Sequence, residues 1–102
     1  MKTTDGIGAP IDLNALYFVQ DTRNVVGNCA LWWRIDRAGY TCDLDLAGKF
    51  TGAEVRSMSR ETDVPWPIAR VEAAVIRHVR ADSTALTRSD AGKHAPRLRS
   101  VP

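Results

Sequence analysis

Apolar positions are sparse at the start of the chain and then gather in Leu16-Tyr17-Phe18-Val19-Gln20, a β-branched and aromatic run that predicts a first strand over 16–20. The polar stretch Asp21-Thr22-Arg23-Asn24 is expected to end it. From Cys29 to Leu46 the pattern reads strand, turn, strand: residues 29–35, a loop Asp36-Arg37-Ala38-Gly39, and residues 40–46. Pairing Ile35 with Tyr40 sets Trp33 opposite Cys42 and Trp32 opposite Asp43. Side chains alternate with period two, so Cys29, Leu31, Trp33 and Ile35 share a core face with Tyr40, Cys42, Leu44 and Leu46. Ala30, Trp32, Arg34, Asp36, Thr41, Asp43 and Asp45 fall on the other face. In this register Cys29 lies opposite Leu46, roughly 13 Å along the strand from Cys42 and its partner, which excludes a disulfide.

Further along, Thr51-Gly52-Ala53-Glu54 matches a capping box and predicts a helix over 52–60 with Val55 and Met58 turned inward. Two prolines in Asp63-Val64-Pro65-Trp66-Pro67 force extended geometry, which reads as a rigid linker carrying an aromatic ring. Ile68, Val71, Val75, Ile76 and Val79 fit a helical stripe, and Val71, Ala73, Val75 and Val79 also fit strand alternation; a helix is expected over 68–80. Residues 1–14 read as a flexible lead-in and 82–102 as a disordered, weakly basic tail. The expected fold is therefore one α+β domain over 15–81. It has a three-stranded antiparallel sheet (16–20, 29–35, 40–46) packed against the 52–60 and 68–80 segments.

Composition narrows the classes. With 102 residues, 44% hydrophobic and 25% charged, the chain can build one modest core. No apolar run approaches the roughly 18 residues of a membrane span, and Met1–Gly8 lacks the apolar stretch of a secretory signal, so a cytoplasmic protein without membrane contact is expected. In that setting Cys29 and Cys42 read as reduced, small core residues. No paired C-x-x-C spacing accompanies them, so neither a metal site nor a cofactor is expected. The net charge is +2, and residues 1–81 balance; the excess lies in Arg88, Lys93, Arg97 and Arg99 against Asp82 and Asp90.

Four groups remain as candidate chemistry. Trp32 stands on the polar face of its strand, where a tryptophan needs either internal cover or an external partner, and Arg34 beside it completes common hot-spot chemistry. Asp43 and Asp45, two apart, are spaced for a shared divalent ion or acid–base work, and equally for a diagonal pairing of Asp43 with Arg34. His78 has no Ser, Cys or carboxylate beside it in sequence and reads as a surface histidine. Arg70, Arg77 and Arg80 could form a positive stripe that touches nucleic acid, diluted by Glu61 and Glu72.

One resemblance adds context. Tyr17-Phe18-Val19-Gln20-Asp21, Val26-Gly27-Asn28, Leu31-Trp32-Trp33, Gly39-Tyr40-Thr41, Asp43-Leu44, Phe50-Thr51 and Thr62-Asp63-Val64-Pro65-Trp66-Pro67 together resemble a group of small uncharacterised proteins encoded by bacteriophages and prophage regions of proteobacteria. The resemblance spans residues 17 to 67 and supplies no catalytic residues. It implies a protein of the bacterial cytoplasm. Joined to the aromatic and arginine candidates, it gives the functional expectation of a non-enzymatic accessory protein. Such a protein binds and modulates a host bacterial protein, for instance as an inhibitor of a CRISPR or restriction defence, through Trp32, Arg34, Asp43, Asp45 and Trp66. The alternative is a nucleic-acid-associated protein using Arg70, Arg77 and Arg80.

Overall fold

The computed structural model describes residues 4–58 and 60–78; the expected tail at 82–102 lies outside them. Its organising element is β1, Leu16–Val26. The polar stretch from Asp21 to Asn24 does not end this strand. Gly27 takes φ +61 in a two-residue Gly27–Asn28 turn, and the closing pair is Val26 with Cys29. The polar residues are thus carried inside a hairpin, with a register irregularity between Asp21 and Val25 where β1 pairs with β2, Cys29–Trp33.

The sheet has more than the expected three strands. β3 is Tyr40–Thr41, β4 is Phe50–Thr51 and β5 is Asp63–Pro67, all antiparallel to their neighbours. One edge of β1 is shared by β4 at Leu16–Tyr17 and β2 further along; β5 takes the other edge, and β3 extends β2.

The expected linker at 63–67 is therefore a strand, and the prolines do not prevent it. The Pro65 carbonyl accepts from the Gly6 N–H at 2.7 Å, on the edge turned away from β1. Pro65 and Pro67, two apart, both spend their missing N–H on that outer edge, the one place in a sheet where a proline loses no ladder bond.

The Trp–Trp hairpin forms, but in a different register. Trp33 pairs with Tyr40 and Trp32 with Thr41, two residues away from the expected pairing, so the faces are preserved while the strands shorten. Ile35, expected at the strand's end, instead opens a turn, Ile35–Arg37, in which Asp36 and Arg37 of the expected loop both take φ +56. Beyond Thr41 the expected strand to Leu46 gives way to a 3₁₀ turn, Leu44–Leu46. Side chains cause this: Thr41 Oγ1 accepts from Asp43 N–H and Asp43 Oδ1 accepts from Asp45 N–H, each at 2.9 Å, offering the backbone a local alternative to the ladder. In consequence Ile35, Cys42 and Leu46, expected in the core, are exposed.

The core cluster is Tyr17, Val19, Phe50, Val55 and Met58, with Trp33 packed against it. Val55 comes from α1, Gly52–Arg56, whose capping box forms as expected, although the helix stops short of residue 60. α2 spans Ile68–Glu72 only; the expected helix to 80 ends there, and Val75–His78 have no regular structure. Phe18 and Val71 are buried outside this cluster, so the sheet carries apolar burial beyond the α1 side. There Gly6 lies so close to the Trp66 ring that a Cβ would stand 2.6 Å from it.

Candidate functional site

Alternation along β1 places Tyr17, Val19 and Asp21 on the core face, and β5 answers with Pro67, Pro65 and Asp63. Asp21 and Asp63 are cross-strand partners, and both are buried. Two carboxylates in that position need counter-charge and donors.

Arg23 folds back over Asp21: its Nε donates to Oδ1 at 2.9 Å, its Nη2 to Oδ2 at 2.8 Å, and its backbone N–H to Oδ1 at 3.0 Å. Trp33 Nε1 donates to Asp63 Oδ1 at 3.0 Å, and Arg60 Nε reaches Asp63 Oδ2 at 3.4 Å. The Tyr40 hydroxyl joins the two halves by accepting from Arg23 Nη2 at 2.8 Å and Arg60 Nη2 at 2.7 Å. Aromatic rings back the cations: the Trp33 and Tyr40 centroids are 4.3 Å apart, Arg23 lies 5.5 Å from the Tyr40 centroid and Arg60 5.4 Å from that of Trp33.

The charges reinforce one another. Hydrogen bonds from Arg23 hold the Asp21 carboxyl below its ordinary value against the opposing effect of burial, and the same contact raises Arg23. Arg60 is raised first by its bond to Tyr40. The acids lie beneath, while the Arg23 and Arg60 side chains are 41% and 40% exposed. Both carboxylates and the Tyr40 hydroxyl are occupied by N–H donors of the cluster itself. What it offers is recognition: fixed guanidinium forks and aromatic rings at one corner of the sheet.

The residues singled out from sequence fall elsewhere. Trp32 and Trp66 come to a common face, opposite Gln20 and Phe18 respectively, on either side of β1. Both are half-buried. Trp32 lies 5.9 Å from Phe18, centroid to centroid, with the rings tilted by 60°, and Trp66 Nε1 donates to Gln20 Oε1 at 2.9 Å. Arg34 precedes the Ile35–Arg37 turn and donates its backbone N–H to Gly39. Asp43 caps the Leu44–Leu46 turn and Asp45 is exposed on it; among the described residues no ion pair joins Arg34 to Asp43, and no group of three or more ligand-type side chains stands together. Arg70 and Arg77 are exposed, and Arg80 lies outside the described residues. No described helix is long and apolar enough to cross a membrane.

The Asp21–Arg23–Arg60–Asp63 set escapes the sequence pattern because Asp21 opens the polar stretch expected to end the first strand and Asp63 falls in the expected linker. A signal was present: Tyr-x-Val-x-Asp and Asp-x-Pro-x-Pro each put an acid on the apolar face of a period-two segment. Comparison with known proteins finds no match among family models, curated proteins or solved structures.

Proposed function

We propose that this chain is a small binding protein that attaches to a host bacterial protein and modulates it, in the manner expected of a phage- or prophage-encoded inhibitor of a CRISPR or restriction defence. The observation that carries the binding role is a rim of exposed Arg23 and half-buried Trp33, Tyr40 and Arg60 over the two buried acids. Arg, Trp and Tyr are the residue types that dominate binding hot spots. Here Arg23 is already held by a buried acid, so association does not have to order a free chain, a cost of about 0.5–1.5 kcal/mol for such a side chain. The bacterial setting and the choice of a host partner rest on the resemblance of residues 17–67.

The test is affinity capture from bacterial lysate with the native protein, Arg23→Gln and Trp32→Ala, each checked for native circular dichroism. A partner kept by the native chain and lost with Arg23→Gln supports the rim. A partner lost only with Trp32→Ala moves the contact to the tryptophan face, which Trp66 shares across β1. A protein that captures nothing specifically, or whose captured partner ignores both changes, overturns the proposal.

A further inference from the structure

Cys29 opens β2 directly after the Gly27–Asn28 turn, half-buried. The chain beyond α2 turns at Ala73–Ala74, with Ala73 N–H donating to Ala69 and Ala74 N–H to Val71, and runs irregularly from Val75 to His78. This path brings the exposed His78 to Cys29 from 49 residues away, with Nε2 3.3 Å from Sγ. A thiol and an imidazole within hydrogen-bond reach are the two parts of an activated nucleophile, the ring taking the proton as the sulfur attacks. Neither residue belongs to the Asp21–Asp63 cluster.

We propose that Cys29 is a site of covalent thiol modification with His78 as its proton acceptor, and that its co-reactant is a low-molecular-weight disulfide. In the step, Sγ attacks one sulfur of the disulfide; the new bond joins Cys29 to that sulfur, and the old sulfur–sulfur bond breaks. The Cys29 proton passes to His78 Nε2 and on to the departing thiolate, which leaves as a free thiol. One disulfide is consumed and one formed, so no further oxidant is required. Once modified, Sγ has no proton to give, so the 3.3 Å contact then requires the imidazole to be the donor.

Cys42 provides the internal reference, because it is also unbonded and is more exposed than Cys29. Access alone makes Cys42 the faster site; the pairing with His78 makes Cys29 the faster one. The experiment incubates the full-length protein at neutral pH with oxidised glutathione and follows each site by mass spectrometry. The same is done for His78→Ala and His78→Gln, the latter keeping a hydrogen-bonding group but not a base. General-base help reaches 10²–10⁴-fold in enclosed active sites, and at this open site about a tenfold lead of Cys29 over Cys42 is expected, lost in both variants. A faster Cys42 in the native protein overturns the proposal. So does a lead of Cys29 that survives His78→Ala, and so does one retained by His78→Gln, which would make the contact structural only.

Discussion

Asp21 and Asp63 face each other across the β1–β5 ladder, both buried, and each draws its hydrogen bonds from a different set of groups: Arg23 for the first, Trp33 and Arg60 for the second. Like charges opposite one another in a sheet repel. The repulsion is offset because the compensating groups come from β1, β2 and the approach to β5, so assembling the sheet and neutralising the acids are one event.

Replacing Asp21 by Asn keeps the shape and removes the charge. Breaking a fully enclosed pair costs about 3–5 kcal/mol; with Arg23 partly exposed, a loss of about 2 kcal/mol at pH 7 is expected in urea denaturation. The pH dependence has a definite sign. Asp21 is lowered in the folded protein from an ordinary value of 3.8, so its contribution is complete above that value and disappears as pH falls through the lower, folded one. The Asn variant should have a shallower loss of stability below about pH 4 than the native protein.

Tyr40→Phe deletes the oxygen that accepts from both guanidinium groups while keeping the ring against Trp33. Hydrogen bonds to charged groups are individually strong, so a destabilisation of about 1–2 kcal/mol is expected despite the partial exposure. A double-mutant cycle with Asp21→Asn should give a coupling above about 0.5 kcal/mol, since Arg23 touches both side chains. Additive effects would argue against a single network.

Gly52→Ala tests a close approach that helix propensity alone misjudges. At the first position of an exposed helix, alanine ordinarily gains up to about 1 kcal/mol over glycine. Here the Gly52 N–H donates to Ala15 at 3.0 Å, and an added Cβ would press on the Asp12 carbonyl and stand 2.8 Å from Leu13 Cα. Backbone cannot rotate away, and the substitution should instead destabilise by about 2–3 kcal/mol, read as a fall in the denaturation midpoint.

Val64→Pro should be far more damaging than Pro65→Ala, although both change one residue of β5. Pro65 directs its backbone to the outer edge, where its carbonyl meets Gly6, so alternation turns Val64 toward β1 opposite Gln20. A proline at 64 removes a ladder bond and is expected to cost about 3 kcal/mol or more; Pro65→Ala keeps the ladder and should cost about 1–2 kcal/mol for the buried ring atoms it removes. Thermal melts of the two variants compare them directly.

Much of the local structure was legible. The capping box at Thr51–Glu54, the start of β1, the placing of Trp33 and Tyr40 on one sheet face and of Trp32 and Thr41 on the other, and the helical start at Ile68 all follow from residue type and period, whereas the register of the hairpin does not. Less legible was where each strand stops. Asp21–Asn24 reads as a terminator until the Gly27 turn recruits it into a hairpin, and Asp43–Leu46 reads as strand until the Thr41 and Asp43 side chains take over its backbone.

The sequence by itself determined the α+β class, the antiparallel hairpin and the separation of the two adjacent tryptophans, because side-chain alternation and capping depend on neighbours a few residues away. Only the tertiary structure decided that Asp63–Pro67 is a strand, that its acid meets Asp21 under two arginines, and that His78 reaches Cys29. Those contacts join residues 42 and 49 positions apart. No local propensity encodes which edge of β1 a proline-bearing segment will choose; burial of Val19 and Pro65 and compensation of two buried charges make that choice together.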